Sequence, residues 1–156
     1  VQKQGAAINV QKVLEFTLIH DLGELFGGDI GMPYAKANPK ARELAKAFEA
    51  ENQNFLAQFF GEQKSRYLKL SQEIMDAKRD EAIIAKIADY MEVTHYKAYV
   101  NLFSQADLDL IEPKLEAMMI KMKDAVAKTA LAAFLKEWLN HVAKKSPREI
   151  VTGSAS

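Results

Sequence analysis

The sequence predicts an all-α protein, an irregular bundle of roughly six or seven helices. Three observations predict it. Apolar residues recur three and four positions apart along nearly the whole chain. No segment shows the alternating pattern of a half-buried strand. Capping residues and glycines punctuate the periodic stretches where helices should start and stop. At 156 residues the chain fits one domain, assigned to 1–150, with 151–156 as a disordered tail.

The first helix is capped by Asn9 and carries Val10, Val13, Leu14, Leu18, Leu22 and Leu25 on one face, ending at Gly27-Gly28. Residues 27–38 read as a long loop. Asn38-Pro39 restarts a helix with Leu44, Phe48, Phe55, Leu56, Phe59 and Phe60, closed by Gly61. The aromatic set Phe48, Phe55, Phe59 and Phe60 reads as core. A further helix spans about Glu62 to Met75. Asp80 caps the next, which runs through Ile83, Ile84, Ile87 and Met91 to about Phe103. Ser104 opens a short helix, and Pro113 falls in the first turn of another. Lys123–Lys145 forms a long amphipathic helix with Val126, Leu131, Phe134, Leu135 and Leu139. Met118, Met119 and Met122 read as core, Lys144, Lys145 and Arg148 as a basic helix end, and Asp107, Asp109, Glu112 and Glu116 as a solvated face.

Composition removes many functions. The 21 Lys and Arg balance 21 Asp and Glu, which argues against nucleic-acid binding through a large positive field. There is no Cys, so disulfides, thiolate metal sites, iron–sulfur clusters and thiol nucleophiles are excluded. No apolar run approaches the ~18–20 residues that span a bilayer, and no signal peptide is visible. A cytoplasmic protein without a membrane partner is the expectation. No Ser stands in a nucleophile elbow. The glycines Gly23, Gly27, Gly28 and Gly31 cluster beside one of three His, but match neither phosphate-loop pattern and follow no strand.

The informative stretch is Leu18-Ile-His-Asp-Leu-Gly-Glu-Leu-Phe-Gly-Gly-Asp-Ile30. On a continuing helix, His20, Asp21 and Glu24 share one face, and Asp29 comes next in the glycine loop. Buried imidazole and carboxylate groups offset their desolvation best by holding a divalent cation. The plain alternative is a helix end that turns polar and solvated. Asp89 is the second unusual residue, a carboxylate in a helix that is apolar almost all round. It either pairs with Lys86 or Lys97, lies on the wet side, or donates a ligand from a different helix, with Glu92 nearby. His95 lies about 120° around the helix from Asp89. His95 and His141 both read as packing or surface residues.

Taken in order, His20-Asp21, Glu24, Gly28-Asp29 and Ala88-Asp89 resemble the HD-domain metal-dependent phosphohydrolases. The likeness is nearest to the branch with the bacterial 5′-deoxynucleotidase and oxetanocin-type HD proteins. It implies an orthogonal helical bundle, often a homodimer. It also implies metal ligation by His20, Asp21 and Asp89, with Glu24 and Asp29 acting near the attacking water as catalytic residues. The implied substrate is a small phosphate ester, most specifically a nucleoside 5′-monophosphate. The cofactor is one divalent ion (Mn, Co, Fe, Zn or Mg), since no His lies between His20 and Asp89 to build a two-ion site. The family's further metal-binding His and its phosphate-binding basic residue have no counterpart among the 19 residues before His20. Val1 in place of Met favours a truncated chain. A chain that has lost its metal, and serves as a noncatalytic nucleotide- or protein-binding module, is the other reading.

Overall fold

A computed structural model of the chain describes residues 5–144. Among them it is all helical, with seven α-helices and no strand, as expected. The helices are α1 (Val10–Ile19), α2 (Met32–Ala37), α3 (Pro39–Ala57), α4 (Lys64–Asp76), α5 (Asp80–Tyr99), α6 (Gln105–Ile120) and α7 (Ala125–Lys144). Short 3-10 segments at Leu22–Glu24 and Gln58–Gln63 come after α1 and α3. The chain gathers into two compact units, Leu18–Asp76 and a second made of the residues up to Thr17 and from Ala77 onward. No helix among the described residues is long and apolar enough to cross a membrane. The expected tail and the expected basic residues Lys145 and Arg148 lie outside the described residues.

The unit from Ala77 onward has an apolar core. Ile83 and Ile87 of α5 meet Ile111, Leu115 and Met119 of α6 and Leu131, Leu135, Trp138 and Val142 of α7. Every step within these sets is three or four residues, so each helix presents one continuous stripe. Each such Ile or Leu contributes about 1.5–3 kcal/mol by leaving water. Met119 and Met122 are buried there and Met118 packs against them, as the sequence predicts. Val126 and Phe134, expected on the buried face of α7, are exposed instead.

Carboxylates knit the helix starts of this unit. Asn9 caps α1 as expected, its Oδ1 accepting the Lys12 N–H at 3.0 Å. Asp80 does not cap its own helix. Its carboxylate accepts the N–H groups of Lys123 at 2.9 Å and Asp124 at 2.7 Å, in the connection that leads into α7. Asp124 caps α7 through the Ala127 N–H at 2.8 Å, and its second oxygen accepts the Ala7 N–H at 2.7 Å. The buried Glu81 accepts the Asn9 N–H at 3.2 Å. Ser104 and Asp107 close the start of α6, the Asp107 carboxylate accepting both the N–H and the hydroxyl of Ser104 at 2.9 Å. Asp107 thus leaves the acidic face expected to be merely solvated. It also binds Lys97 at 2.6 Å.

Other boundaries differ from expectation. Pro113 lies inside a single continuous α6 rather than opening a new helix. It withdraws one N–H from the ladder, and the buried Ile111 and Leu115 on either side hold the helix through it. α5 ends at Tyr99, where Asn101 takes a positive φ of 58°, short of the expected Phe103. The expected loop 27–38 contains α2. Asn38 turns its side chain back to the Tyr34 carbonyl at 3.1 Å and offers no side-chain cap to α3.

In the unit Leu18–Asp76, α3 is inverted relative to expectation. Phe48, Phe55 and Phe59 are all at least half exposed, and Phe60 is also exposed. The buried residues of α3 are Asn52, Gln53 and Ala57. Phe26, Phe55 and Phe59 form an edge-to-face chain on the surface, with centroids 5.5 and 5.6 Å apart. Phe60 stacks on the buried Tyr67 of α4 at 4.0 Å.

Replacing Asp80 with Ala leaves two N–H groups at the entry to α7 without their acceptor. A loss of about 1–2 kcal/mol in urea unfolding is expected. Asp107 is held below the ordinary 3.8 by its hydrogen bond from Lys97 and by Ser104. Asp124 is held below it by the backbone N–H groups of Ala127 and Ala7. Both add stability that is present above 3.8 and lost as pH falls through their lower folded values. Melting temperatures tracked downward through that range should fall, and Asp107→Asn combined with Asp124→Asn should flatten the fall.

Candidate metal centre

α1 ends at Ile19, so His20 and Asp21 lie in the turn after it. This corrects the expectation of a helix continuing to Gly27 with three polar residues on one α-helical face. The chain instead tightens into 3-10 geometry. The Glu24 N–H donates to the Asp21 carbonyl at 2.9 Å and Leu25 to Leu22 at 3.3 Å. Gly28 then closes the turn on the Glu24 carbonyl at 2.7 Å with φ +68°. Glycine at 23 costs helix propensity, and the tertiary contacts made by this turn favour the break.

The turn brings the two adjacent side chains together. His20 Nε2 lies 3.1 Å from Asp21 Oδ2. The imidazole is one-quarter exposed and the carboxylate 60 % exposed. A neutral imidazole nitrogen and a carboxylate oxygen suit Mn, Fe, Co, Zn or Mg, and this donor pair fits a divalent ion. Glu24 is half-buried in the 3-10 segment. With three residues per turn, backbone positions 21 and 24 are aligned along the axis, which preserves the expected relation by a different geometry. Asp29 is exposed, and its Oδ1 accepts the N–H of Ile30 at 2.7 Å.

Asp89 lies in the other unit, half-buried on α5. Of its two expected lysine partners, Lys97 binds Asp107. The neighbouring outer face of α5 carries Ala88, Met91, Glu92, His95, Tyr96 and Tyr99 around an open groove of about 520 Å³. His95 is fixed there by Trp138, whose indole N–H donates to His95 Nε2 at 2.6 Å. His141 Nδ1 is 2.9 Å from the Glu137 carbonyl within its own helix. Both histidines therefore have structural partners.

A family model described as an HD domain matches residues 1–150. The chain belongs to the HD-domain family. HD-domain proteins are in general metal-dependent phosphohydrolases, and this chain brings a His and an Asp together at His20 and Asp21. Comparison with curated proteins gave no match, and comparison with solved structures gave none.

Sequence reasoning missed Asn52. Its Nδ2 donates to the Gly23 carbonyl at 2.7 Å, inside the turn that carries the pair. The signal in the sequence was three consecutive amides, Asn52-Gln53-Asn54, within a long helix. The stronger aromatic stripe of the same helix concealed it.

The glycine cluster also divides. A Cβ at Gly28 meets nothing within 4 Å but would be held at φ +68°, whereas Gly31 is open and free of that constraint. Gly28→Ala should therefore cost about 1–2 kcal/mol of stability. Gly31→Ala should be neutral or slightly stabilising in the same urea titration.

Proposed function

We propose that this HD-domain protein is a metal-dependent phosphomonoesterase, with nucleoside 5′-monophosphates as its substrates. The observation that carries the reading is the convergence of His20 and Asp21 in a turn that also holds Glu24. His20, Asp21 and Asp89 hold one divalent ion, the third residue being assigned by resemblance. When bound, the ion supplies Lewis-acid polarisation of the phosphoryl group and activation of water.

The remaining chemistry falls to side chains. Glu24 orients the attacking water and takes its proton as the new P–O bond forms. The ester P–O bond breaks, and Asp29 gives a proton to the departing alkoxide, leaving an alcohol and inorganic phosphate. Asp29 lies next to Gly28, so its loop has the backbone freedom to open and close around substrate. The family resemblance also brings a homodimer, for which the exposed aromatic chain Phe26–Phe55–Phe59 offers an apolar surface.

Metal analysis and phosphate release from nucleoside monophosphates in Mn, Co and Mg test the reading. Asp21→Ala and Asp89→Ala should each lose bound metal and activity together. Glu24→Ala should keep the metal while turnover falls by roughly 10²–10⁴. Full activity with a bound ion in Asp21→Ala would refute the site. A wild-type protein with neither ion nor phosphate release would favour a noncatalytic nucleotide- or protein-binding module.

A further inference from the structure

The buried side of α3 is polar at the point where it meets the metal-centre turn. Asn52 and Gln53 are both more than nine-tenths buried. Tyr67 of α4 donates its hydroxyl hydrogen to Gln53 Oε1. Burial pushes the Tyr67 hydroxyl above its ordinary value, which keeps it in the donating form. Asn52 Nδ2 donates to the Gly23 carbonyl at 2.7 Å. The backbone hydrogen bonds of the turn run to the carbonyls of Asp21, Leu22 and Glu24, so the Gly23 carbonyl is the acceptor left for a tertiary partner.

Gly23 has little room to move. A Cβ there would lie 2.7 Å from Glu49 Cγ, 2.8 Å from Gln53 Nε2 and 3.1 Å from the Glu49 carbonyl. The peptide at Gly23 is thus clamped between one turn of α3 and the amide of Asn52. Gly23 is two residues after Asp21 and one before Glu24, so a shift of this peptide moves both carboxylates.

We propose that Asn52 is a positioning residue of the metal centre, setting the His20–Asp21–Glu24 turn through the Gly23 carbonyl. The metal part of this proposal rests on the function proposed above. The turn part stands on the contacts alone.

The test uses the full chain and four variants. Asn52→Ala removes the donor, Asn52→Asp replaces it with an acceptor of the same shape, and Gly23→Ala forces the turn off α3. Ile74→Val, in the buried face of α4, lowers the stability of the same unit while keeping Asn52 and Gly23. Amide hydrogen exchange at Glu24, Leu25 and Gly28 reports the turn, and Mn²⁺ titration reports the metal centre. The first three variants should accelerate exchange at those amides about tenfold or more and weaken Mn²⁺ binding about 10–100-fold. Ile74→Val should lower the melting temperature and leave both readouts at wild-type values.

Asn52→Ala with a lowered melting temperature but wild-type turn exchange and Mn²⁺ affinity would make Asn52 merely structural and overturn the proposal. Wild-type behaviour in Asn52→Asp would overturn it too. If the wild-type protein bound none of Mn²⁺, Co²⁺, Fe²⁺, Zn²⁺ and Mg²⁺, the function proposed above would fall. Exchange acceleration confined to the turn would then still establish Asn52 as its anchor, and its absence would remove it.

Discussion

The turn that carries His20 and Asp21 depends on the absence of a side chain at position 23. α3 approaches so closely that a single added carbon would lie 2.7 Å from Glu49 Cγ. That proximity lets Asn52 reach the Gly23 carbonyl. The buried side of α3 must then be small or polar at this level, which is what Asn52, Gln53 and Ala57 supply. Once those residues face inward, the geometry of a 3.6-residue helix turns Leu44, Phe48 and Phe55 outward. The exposed aromatic stripe is therefore a consequence of how the turn is held. Large exposed apolar groups of this kind mark surfaces that proteins use for association.

The other unit solves a different problem. Its helices are joined by an apolar core with stripes at every third or fourth residue, and packing of that kind does not by itself fix where each helix begins. The polar contacts at the helix starts do. Asp80 and Asp124 form a relay in which each carboxylate satisfies N–H groups outside its own first turn, and Glu81 ties the segment before α1 to α5. Buried or half-buried donors left without partners cost more than a typical hydrogen bond contributes. The relay therefore specifies the register of α5, α7 and the N-terminal segment more sharply than hydrophobic burial alone.

Local signals in the sequence carried much of this. Asn9, Ser104 and Pro39 mark helix starts that the structure keeps, because a cap acts through its own neighbours and needs no tertiary context. The periodic residues of α5 and α7 marked Ile83, Ile87, Leu131 and Leu135 of the core, and Met119 and Met122 were read as core too. The features that were not legible arose from contacts distant in sequence. Asp80 has the residue type of a cap, and its carboxylate serves Lys123 and Asp124 instead. The aromatic stripe of α3 outweighs Asn52-Gln53 in any hydrophobicity pattern, yet the amides are the buried pair because their partners come from Gly23 and Tyr67. The candidate pair His20 and Asp21 could be read from the sequence, but the break in α1 that brings them together could not.

That break has a chemical reason. Adjacent residues on an α-helix project about 100° apart, so neighbouring side chains do not face one another. Had α1 continued to Gly27, the two side chains would have stood about 100° apart on the helix, without this turn to set their donor atoms. Ending the helix at Ile19 frees the backbone at 20 and 21, and their donor atoms come within 3.1 Å. A free turn would lose this arrangement to thermal motion. The 3-10 hydrogen bonds from Glu24 and Leu25 and the amide of Asn52 restrict it. In this chain the adjacent His and Asp are brought within reach of one another because the helix stops at Ile19 and a glycine lets α3 grip the turn beyond it.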